Sequence, residues 1–433
     1  MKNTFKKIIS KILIYESRLV LKKYKPKIIA ITGSVGKTST KDAVYAVISS
    51  FTHVRKSDKS YNSEIGLPLT ILGLPNGWND PLVWTFNIVK GFWLIVWPHT
   101  YPKWLVLEVG VGKPGDMKNT ASWLKTDAVI ITTIGTTPAH IEFFNSFKHL
   151  VEEKSGLIKT LRPDGLLVLN ADDETVLSMK SKTKARTITY GFKEGADILG
   201  GGDDIFYNKD GMPEGVNFRI DEGGVSIPVF IEGVFGRNHV YAALASLALA
   251  SGLRWNMLES ANAVKNYDVP PGRMRLLLGI GSSLIIDDTY NSSPYAAESA
   301  LKTLGEIKSN NTVRKIAVLG DMLELGKHTE EAHKNIGKIV YEQVDILIVV
   351  GPRAQDIKQG AQDAGMSKKN IFEFSNSFLA GEFLKTFVVK NDLILIKGSQ
   401  GVRMERAVEA ILDPRLDKNE FLVRQDKEWK DKI

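Results

Sequence analysis

The 433-residue chain contains no cysteine. That absence removes disulfides, thiolate zinc sites, iron–sulfur clusters and any cysteine nucleophile. It fits a reducing compartment. The chain also lacks internal repeats, low-complexity segments and any uninterrupted apolar run of the ~20 residues that a spanning helix needs. Hydrophobic residues make up 43% and charged residues 24%, which excludes disorder, collagen and coiled coil as whole-chain architectures. The length suits two or three domains, each able to bury a core.

Acidic residues are almost missing from one segment. Residues 1–27 hold nine Lys and Arg but one acid, Glu16. The whole formal charge of +8 therefore lies there, and the other 406 residues carry 48 charges of each sign. The sequence reads as a neutral body with a basic N-terminal arm. The arm has no secretory-signal pattern, because Lys11, Glu16 and Arg18 break its apolar residues and no small-residue cleavage site follows. On a helix, Phe5, Ile8, Ile9, Ile12, Tyr15 and Leu19 fall on one side and Lys7, Lys11, Arg18, Lys22 and Lys25 on the opposite side. Pro26 ends the pattern.

A second unusual segment, 77–104, holds Trp78, Trp84, Trp93, Trp97 and Trp104, five of the eight tryptophans. Its centre, 81–98, is apolar apart from Thr85, Asn87 and Lys90. Such a stretch suits a bilayer interface, although burial on its own domain or at a dimer contact fits the same pattern. Arm and stretch together suggest peripheral contact with an anionic membrane. Nucleic acid is not expected, because the basic residues have no stacking platform or groove-reading motif beside them.

From Lys27 the chain alternates short β-branched runs with helical stretches. KIIAIT (27–32), WLVLEVG (104–110), AVIITTIG (128–135) and LLVLN (166–170) read as buried strands of a parallel sheet. A Gly-rich β section follows from ARTITYG (185–191) to about residue 235, then an Ala-rich helix over 238–253. SLIIDD (283–288), KIAVLG (315–320), DILIVVG (345–351) and LILIKG (393–398) alternate with helices as a second parallel sheet. Pro270-Pro271-Gly272 marks the boundary. The expected fold class is α/β: a P-loop central ATPase domain with a parallel sheet over 28–267, and a Rossmann-like α/β domain over 268–433.

The first strand runs into Thr32, Gly33, Ser34, Val35, Gly36, Lys37, Thr38 and Ser39, and a helix follows. This is a phosphate loop in its proper context. Glycines let backbone N–H groups approach phosphate oxygens, the helix N-terminus adds positive partial charge, Lys37 neutralises the β/γ-phosphates and the Thr38 hydroxyl suits Mg²⁺. Ile31 stands where the longer form of the motif has its first glycine.

The compact loop TGSVGKTST resembles that of the Mur ligases, the ATP-dependent amide-forming enzymes of peptidoglycan synthesis. The stretches SYNSEIGLPLTIL (60–72), LEVGVGKPGDM (107–117), LLVLNADDE (166–174), GRNHVYAALASLALA (236–250), DDTYNSSPYAAESAL (287–301), AVLGDMLELG (317–326) and KGSQGVRMERAVEAI (397–411) run in family order. They resemble most the branch that adds D-alanyl-D-alanine to a muramoyl peptide. The resemblance implies ATP and two Mg²⁺ ions, with carboxylate activation as an acyl phosphate. It implies metal ligands at Thr38, Glu108, His140 and Lys154, the last as a carbamate, and catalytic roles for Lys37, His140 and Lys154. ATP contacts are implied at Asn238, Arg273, Asp288 and Asn291, and substrate contacts at Asn62, Glu64, Asp321 and Lys397. His328 and His333 read as structural. The sequence departs from the family at Thr133, where an Asn is usual, at Asn238-His239, where the order is exchanged, and at Ala242. Members of the branch begin with a domain for the UDP-linked substrate, whereas here the phosphate loop starts at Gly33. The expectation is that this domain is absent and that the acceptor is held at the membrane. A Mur-type ligase for another amine and a non-catalytic ATP-binding scaffold stay open as alternatives.

Overall fold

The structure is a computed structural model and describes residues 2–58, 61–135, 141–308, 312–426 and 429. Nine strands form the first sheet: β1 (Lys27–Thr32), β2 (Val54–Lys56), β3 (Trp104–Glu108), β4 (Thr126–Ile131), β5 (Leu161–Asn170), β6 (Arg186–Gly191), β7 (Ile198–Tyr207), β8 (Pro213–Glu222) and β9 (Val225–Glu232). Their order is β2-β3-β1-β4-β5-β6-β7-β8-β9. Pairing is parallel as far as β7, and the β7–β8–β9 edge is antiparallel. The associated helices are α1 (Lys2–Tyr24), α2 (Lys37–Phe51), α3 (Gly66–Leu72), α4 (Pro81–Val96), α5 (Asp116–Ala121), α6 (Phe147–Ser155), α7 (Glu174–Leu177) and α8 (Arg237–Gly252).

The period of two in the strands divides this sheet into two cores. Ile29 and Ile31 of β1 face one side, with Val106, Ile130 and Val168, and are covered by α2 and the Ala-rich α8. Ile28 and Ala30 face the other side, with Leu107, Val129 and Leu169, beneath residues of α1 and α3. Both faces are covered, so the strands read as continuous apolar runs.

The second sheet contains β10 (Arg275–Leu278), β11 (Leu284–Asp288), β12 (Lys315–Gly320), β13 (Ile346–Val350), β14 (Ile371–Phe374) and β15 (Leu393–Lys397), in the order β10-β11-β15-β12-β13-β14. It is parallel except for β10, which pairs antiparallel with β11. The short strands β2, β10 and β14 do not stand out in the sequence. Each is a sheet edge of three or four residues, too short to show a period.

One expectation is corrected here. The basic segment is no detached arm: Ile9, Leu13 and Val20 of α1 are buried in the core under the first sheet. Its buried face, which also contains Ser10, Glu16 and Ser17, shares only Ile9 with the expected apolar side among the described side chains. The Ile8, Ile12, Tyr15 and Leu19 stripe is turned outward, and Ile8 and Tyr15 are exposed. Within the tryptophan-rich stretch, Pro81–Val96 forms the helix α4, started by Asp80, whose side chain accepts from the Leu82 and Val83 amides with Pro81 in the first turn, while Trp104 is the first residue of β3.

Candidate active site

The phosphate loop lies at the C-terminal end of β1. Gly33 has φ 149°, and a Cβ there would sit 2.0 Å from Thr132 Oγ1, so only glycine fits this approach. Gly36 opens α2 in the left-handed region at φ 84°. The loop is clamped by the strand beside it: the Ser34 and Val35 amides donate to the Thr133 carbonyl at 2.8 and 3.0 Å, and Thr132 Oγ1 donates to the Val35 carbonyl at 2.7 Å. Thr133 in turn is held by Asn170, whose Nδ2 donates to its hydroxyl at 3.0 Å. Asp173 Oδ2 accepts from the Ile134 and Gly135 amides. Thus the NADD stretch anchors the second loop of the site, a role that resemblance alone did not reveal.

Two lysines converge on the loop. Lys37 Nζ donates to the Ser34 carbonyl at 3.2 Å, and Lys154 Nζ, from α6, donates to the Gly33 carbonyl at 2.9 Å. Lys154 is only 2% exposed. Burial holds its ammonium well below the ordinary lysine range, and the Lys37 charge adds to the effect. Lys37 is also lowered, chiefly by desolvation, against the opposing pull of Glu108. With Lys154 held toward its neutral form, Lys37 at the start of α2 is the loop's cation for an anion.

Glu108 ends β3 beside this pair and is buried. Its Oε2 accepts from Thr38 Oγ1 at 2.9 Å and its Oε1 from Asn62 Nδ2 at 3.1 Å. A hydroxyl and a carboxylate at this distance form a hard oxygen donor set suited to Mg²⁺. Thr32 Oγ1 and Ser34 Oγ are buried with no hydrogen-bond partner among the described residues, which also fits a site for a phosphate or ion. Ser39 lies one turn further on and hydrogen-bonds the Tyr267 hydroxyl.

The linker before the second sheet contributes from across the boundary. Arg273 donates through Nη2 to Thr38 Oγ1 at 3.2 Å, while its guanidinium lies 3.9 Å from the Tyr290 ring centre. His239, the exchanged residue of the α8 stretch, fixes the linker: Nε2 is 2.7 Å from the Arg273 carbonyl and Nδ1 is 3.2 Å from the Tyr267 hydroxyl. Burial pushes this imidazole down to about 4, so it is neutral. Asn238 lies half-buried at the start of α8 with no hydrogen bond to the loop among the described residues.

Asp288 and Asn291 form one unit with Lys397. The buried Lys397 ammonium donates to Asp288 Oδ2 at 2.6 Å and to the Asn291 carbonyl at 2.9 Å. Desolvation raises the Asp288 carboxyl and the Lys397 charge opposes that shift. Lys397 is therefore engaged inside the loop rather than offered to a substrate. Asp321 accepts from the Ala354 amide at 2.7 Å and is likewise turned inward. Glu64 is exposed and accepts from Asn119 Nδ2. His333 is buried and accepts from the Met322 amide, a structural role. His140 lies outside the described residues.

Residues 31–84 and 94–250 match the Mur ligase middle domain, and residues 272–400 match the domain described as Mur ligase, glutamate ligase domain. The chain is 27% identical to the UDP-N-acetylmuramoyl-tripeptide–D-alanyl-D-alanine ligase of Bacillus subtilis, over 90% of this chain and 77% of that protein. It is 30% identical to the ligase of the same name from Synechocystis, over 89% and 74%. The crystal structure of the MurF ligase of Thermotoga maritima in complex with ADP superposes with a TM-score of 0.75 at 25% identity, covering 93% of this chain and 83% of that one. Together with a phosphate loop whose lysines, hydroxyl and carboxylate converge, these matches show that the chain belongs to the Mur ligase family and is an ATP-dependent ligase.

Proposed function

We propose that this ligase joins D-alanyl-D-alanine to a muramoyl peptide, as the names of its relatives suggest. The observation that carries the reading is the convergence of Lys37, Thr38, Glu108 and Lys154 of the first unit, with Arg273 of the linker, on one loop. The acceptor carboxylate attacks the γ-phosphorus of ATP, forming an acyl phosphate with ADP leaving. The dipeptide amine then attacks the acyl carbon, phosphate leaves and the amine loses a proton. The first step brings negative charges together, which Lys37 and Arg273 oppose. Mg²⁺ bound by Thr38 and Glu108 would polarise the phosphate oxygens.

Lys154 is the proposed carbamate. A neutral amine adds to CO₂ by forming an N–C bond and losing a proton. The burial that lowers this lysine supplies the neutral form. The carbamate oxygens would suit a second Mg²⁺, with His140 as the proposed further ligand. Asn62, through Glu108, orders the acceptor side. Residues 28–267 and 268–433 act as two domains that close on ATP, with Asp288 and Asn291 carried by the second. We extend the reading to a cytoplasmic enzyme in peripheral contact with an anionic membrane through residues 1–27 and 77–104.

The test measures ADP release with Mg²⁺-ATP and a muramoyl tripeptide, UDP-linked or lipid-linked. Strong stimulation by D-alanyl-D-alanine over single amino acids is expected. Equal stimulation by single amino acids would replace the dipeptide reading with another amine.

A further inference from the structure

Helix α4 is built inside out for a protein in water. Its buried residues are Trp84, Asn87 and Gly91, two of them without an apolar side chain. Its outward half carries Leu82, Phe86, Val89, Phe92, Trp93 and Val96, continued by Trp97 just past its end, all exposed, with Leu82 at 80%. Thr85 and Lys90 are the polar residues of that half. A surface helix ordinarily shows the reverse arrangement. Seven contiguous exposed apolar side chains mark an interaction surface.

Helix α1 extends this surface. The two helices pair with their C-terminal ends together: Glu16 lies against Gly91, and Lys23 Nζ donates to the Leu94, Ile95 and Trp97 carbonyls. The last contact caps the C-terminus of α4 with a cation. On α1, the side next to this seam is the Ile8, Ile12, Tyr15 and Leu19 stripe, and beyond it lie the exposed Lys7, Lys11, Arg18 and Lys22. The outer layer is thus ordered as a basic stripe, an apolar stripe and the apolar half of α4. Residues 85–93, the middle of α4, fall in the gap of the match to the Mur ligase middle domain, so the family pattern does not explain them.

Among the described residues no helix is long and apolar enough to cross a membrane. A helix of 16 residues with one lipophilic half and a cationic border lies along an interface rather than through it. We infer that the outer face of α1 and α4 is the surface on which the protein docks to an anionic bilayer, α4 lying flat with Phe86, Trp93 and Trp97 inserted and the α1 cations over the headgroups. This deepens, and rests on, the peripheral-contact reading given above. The charge border favours lipid over a second copy, because two copies face to face would set like charges together.

Docking would also aim the site. Asn62 binds Glu108, the neighbouring Tyr61 hydroxyl accepts from the Asn76 amide, and the Trp84 indole donates to the Trp78 carbonyl at the start of α4. The N-terminal end of α4 is therefore joined by a few residues to the acceptor side of the phosphate loop.

The test uses the full chain with phosphatidylglycerol/phosphatidylcholine vesicles and with phosphatidylcholine vesicles, read by co-sedimentation and by tryptophan emission. The wild type is expected to partition to the anionic vesicles, with a blue-shifted emission, and to be released by salt. The double variant Phe86→Glu/Trp93→Glu is expected to lose about tenfold or more in partitioning at an unchanged melting temperature. Equal partitioning of wild type and variant, or none to either vesicle, overturns the inference. A wild type that is dimeric without lipid, with a monomeric variant, assigns the face to a second copy and also overturns it. ADP release in solution uses none of these residues, so failure here leaves the ligase reading intact.

Discussion

Arg273 crosses from the linker between the two sheets to donate a hydrogen bond to Thr38 Oγ1 at 3.2 Å. The same hydroxyl donates to Glu108, so one residue of the second unit touches the proposed metal ligands of the first. Arg273 is set by the left-handed Gly272 before it, by His239 on its carbonyl and by the Tyr290 ring under its guanidinium.

Arg273→Ala should therefore cost activity rather than stability. We expect kcat/KM to fall by about a hundredfold or more, as when one preorganised donor is removed. The melting temperature should shift by no more than a few degrees. A variant with wild-type turnover would remove Arg273 from the site.

Lys154 stores a cost that function requires. Its ammonium is lowered in the folded state, so the folded protein binds fewer protons than the unfolded one, and this group's contribution to stability rises with pH until the ordinary lysine value is passed. At neutral pH Lys154→Met should stabilise the protein by about 1–2 kcal/mol while abolishing turnover. In the wild type, stripping CO₂ should lower activity and bicarbonate should restore it. Activity indifferent to bicarbonate would refute the carbamate.

Glu16 predicts the opposite pH slope. Burial raises its carboxyl from 4.5 to about 7, and Oε2 has no partner among the described residues. The folded state keeps a proton that the unfolded state releases. The stabilisation from this group is complete below the unfolded value and is lost as pH rises through about 7. Thermal melts from pH 5 to pH 8 should show this loss, and Glu16→Gln should flatten it.

The buried pair of Lys397 and Asp288, at 2.6 Å, should be costly to break from one side. Lys397→Ala leaves the carboxylate and the Asn291 carbonyl without their donor and should destabilise by about 3–5 kcal/mol. The double change Lys397→Met/Asp288→Asn should recover much of this in a denaturant titration. An additive result would mean that the two residues act independently.

Gly33→Ala should disable the loop, because the added Cβ would meet Thr132 Oγ1 at 2.0 Å. ATP binding measured by calorimetry should be lost. Thr132→Ser, which keeps the hydroxyl, should retain it.

Much of this was legible in the residues. The alternating apolar runs specify strands with both faces covered, and the glycine-lysine-threonine turn between strand and helix specifies a phosphate site, because local geometry and charge alone produce these features. The strand pattern put Glu108 beside the loop and the family resemblance singled out Lys154; both side chains reach the loop region. It also expected an apolar face for α1 and missed which one is buried. A helix with apolar residues on two sides does not declare which side meets the core.

What the sequence by itself determined is the two-sheet α/β architecture, the phosphate loop and the family, since strand period, glycine conformation and ordered motifs are properties of the chain alone. What only the tertiary structure decided is which side chains meet. It set Arg273 against Thr38, turned Lys397 inward to Asp288 and rotated α1 so that Glu16 faces Gly91. These contacts join residues up to 235 positions apart, and packing, not local propensity, selects them.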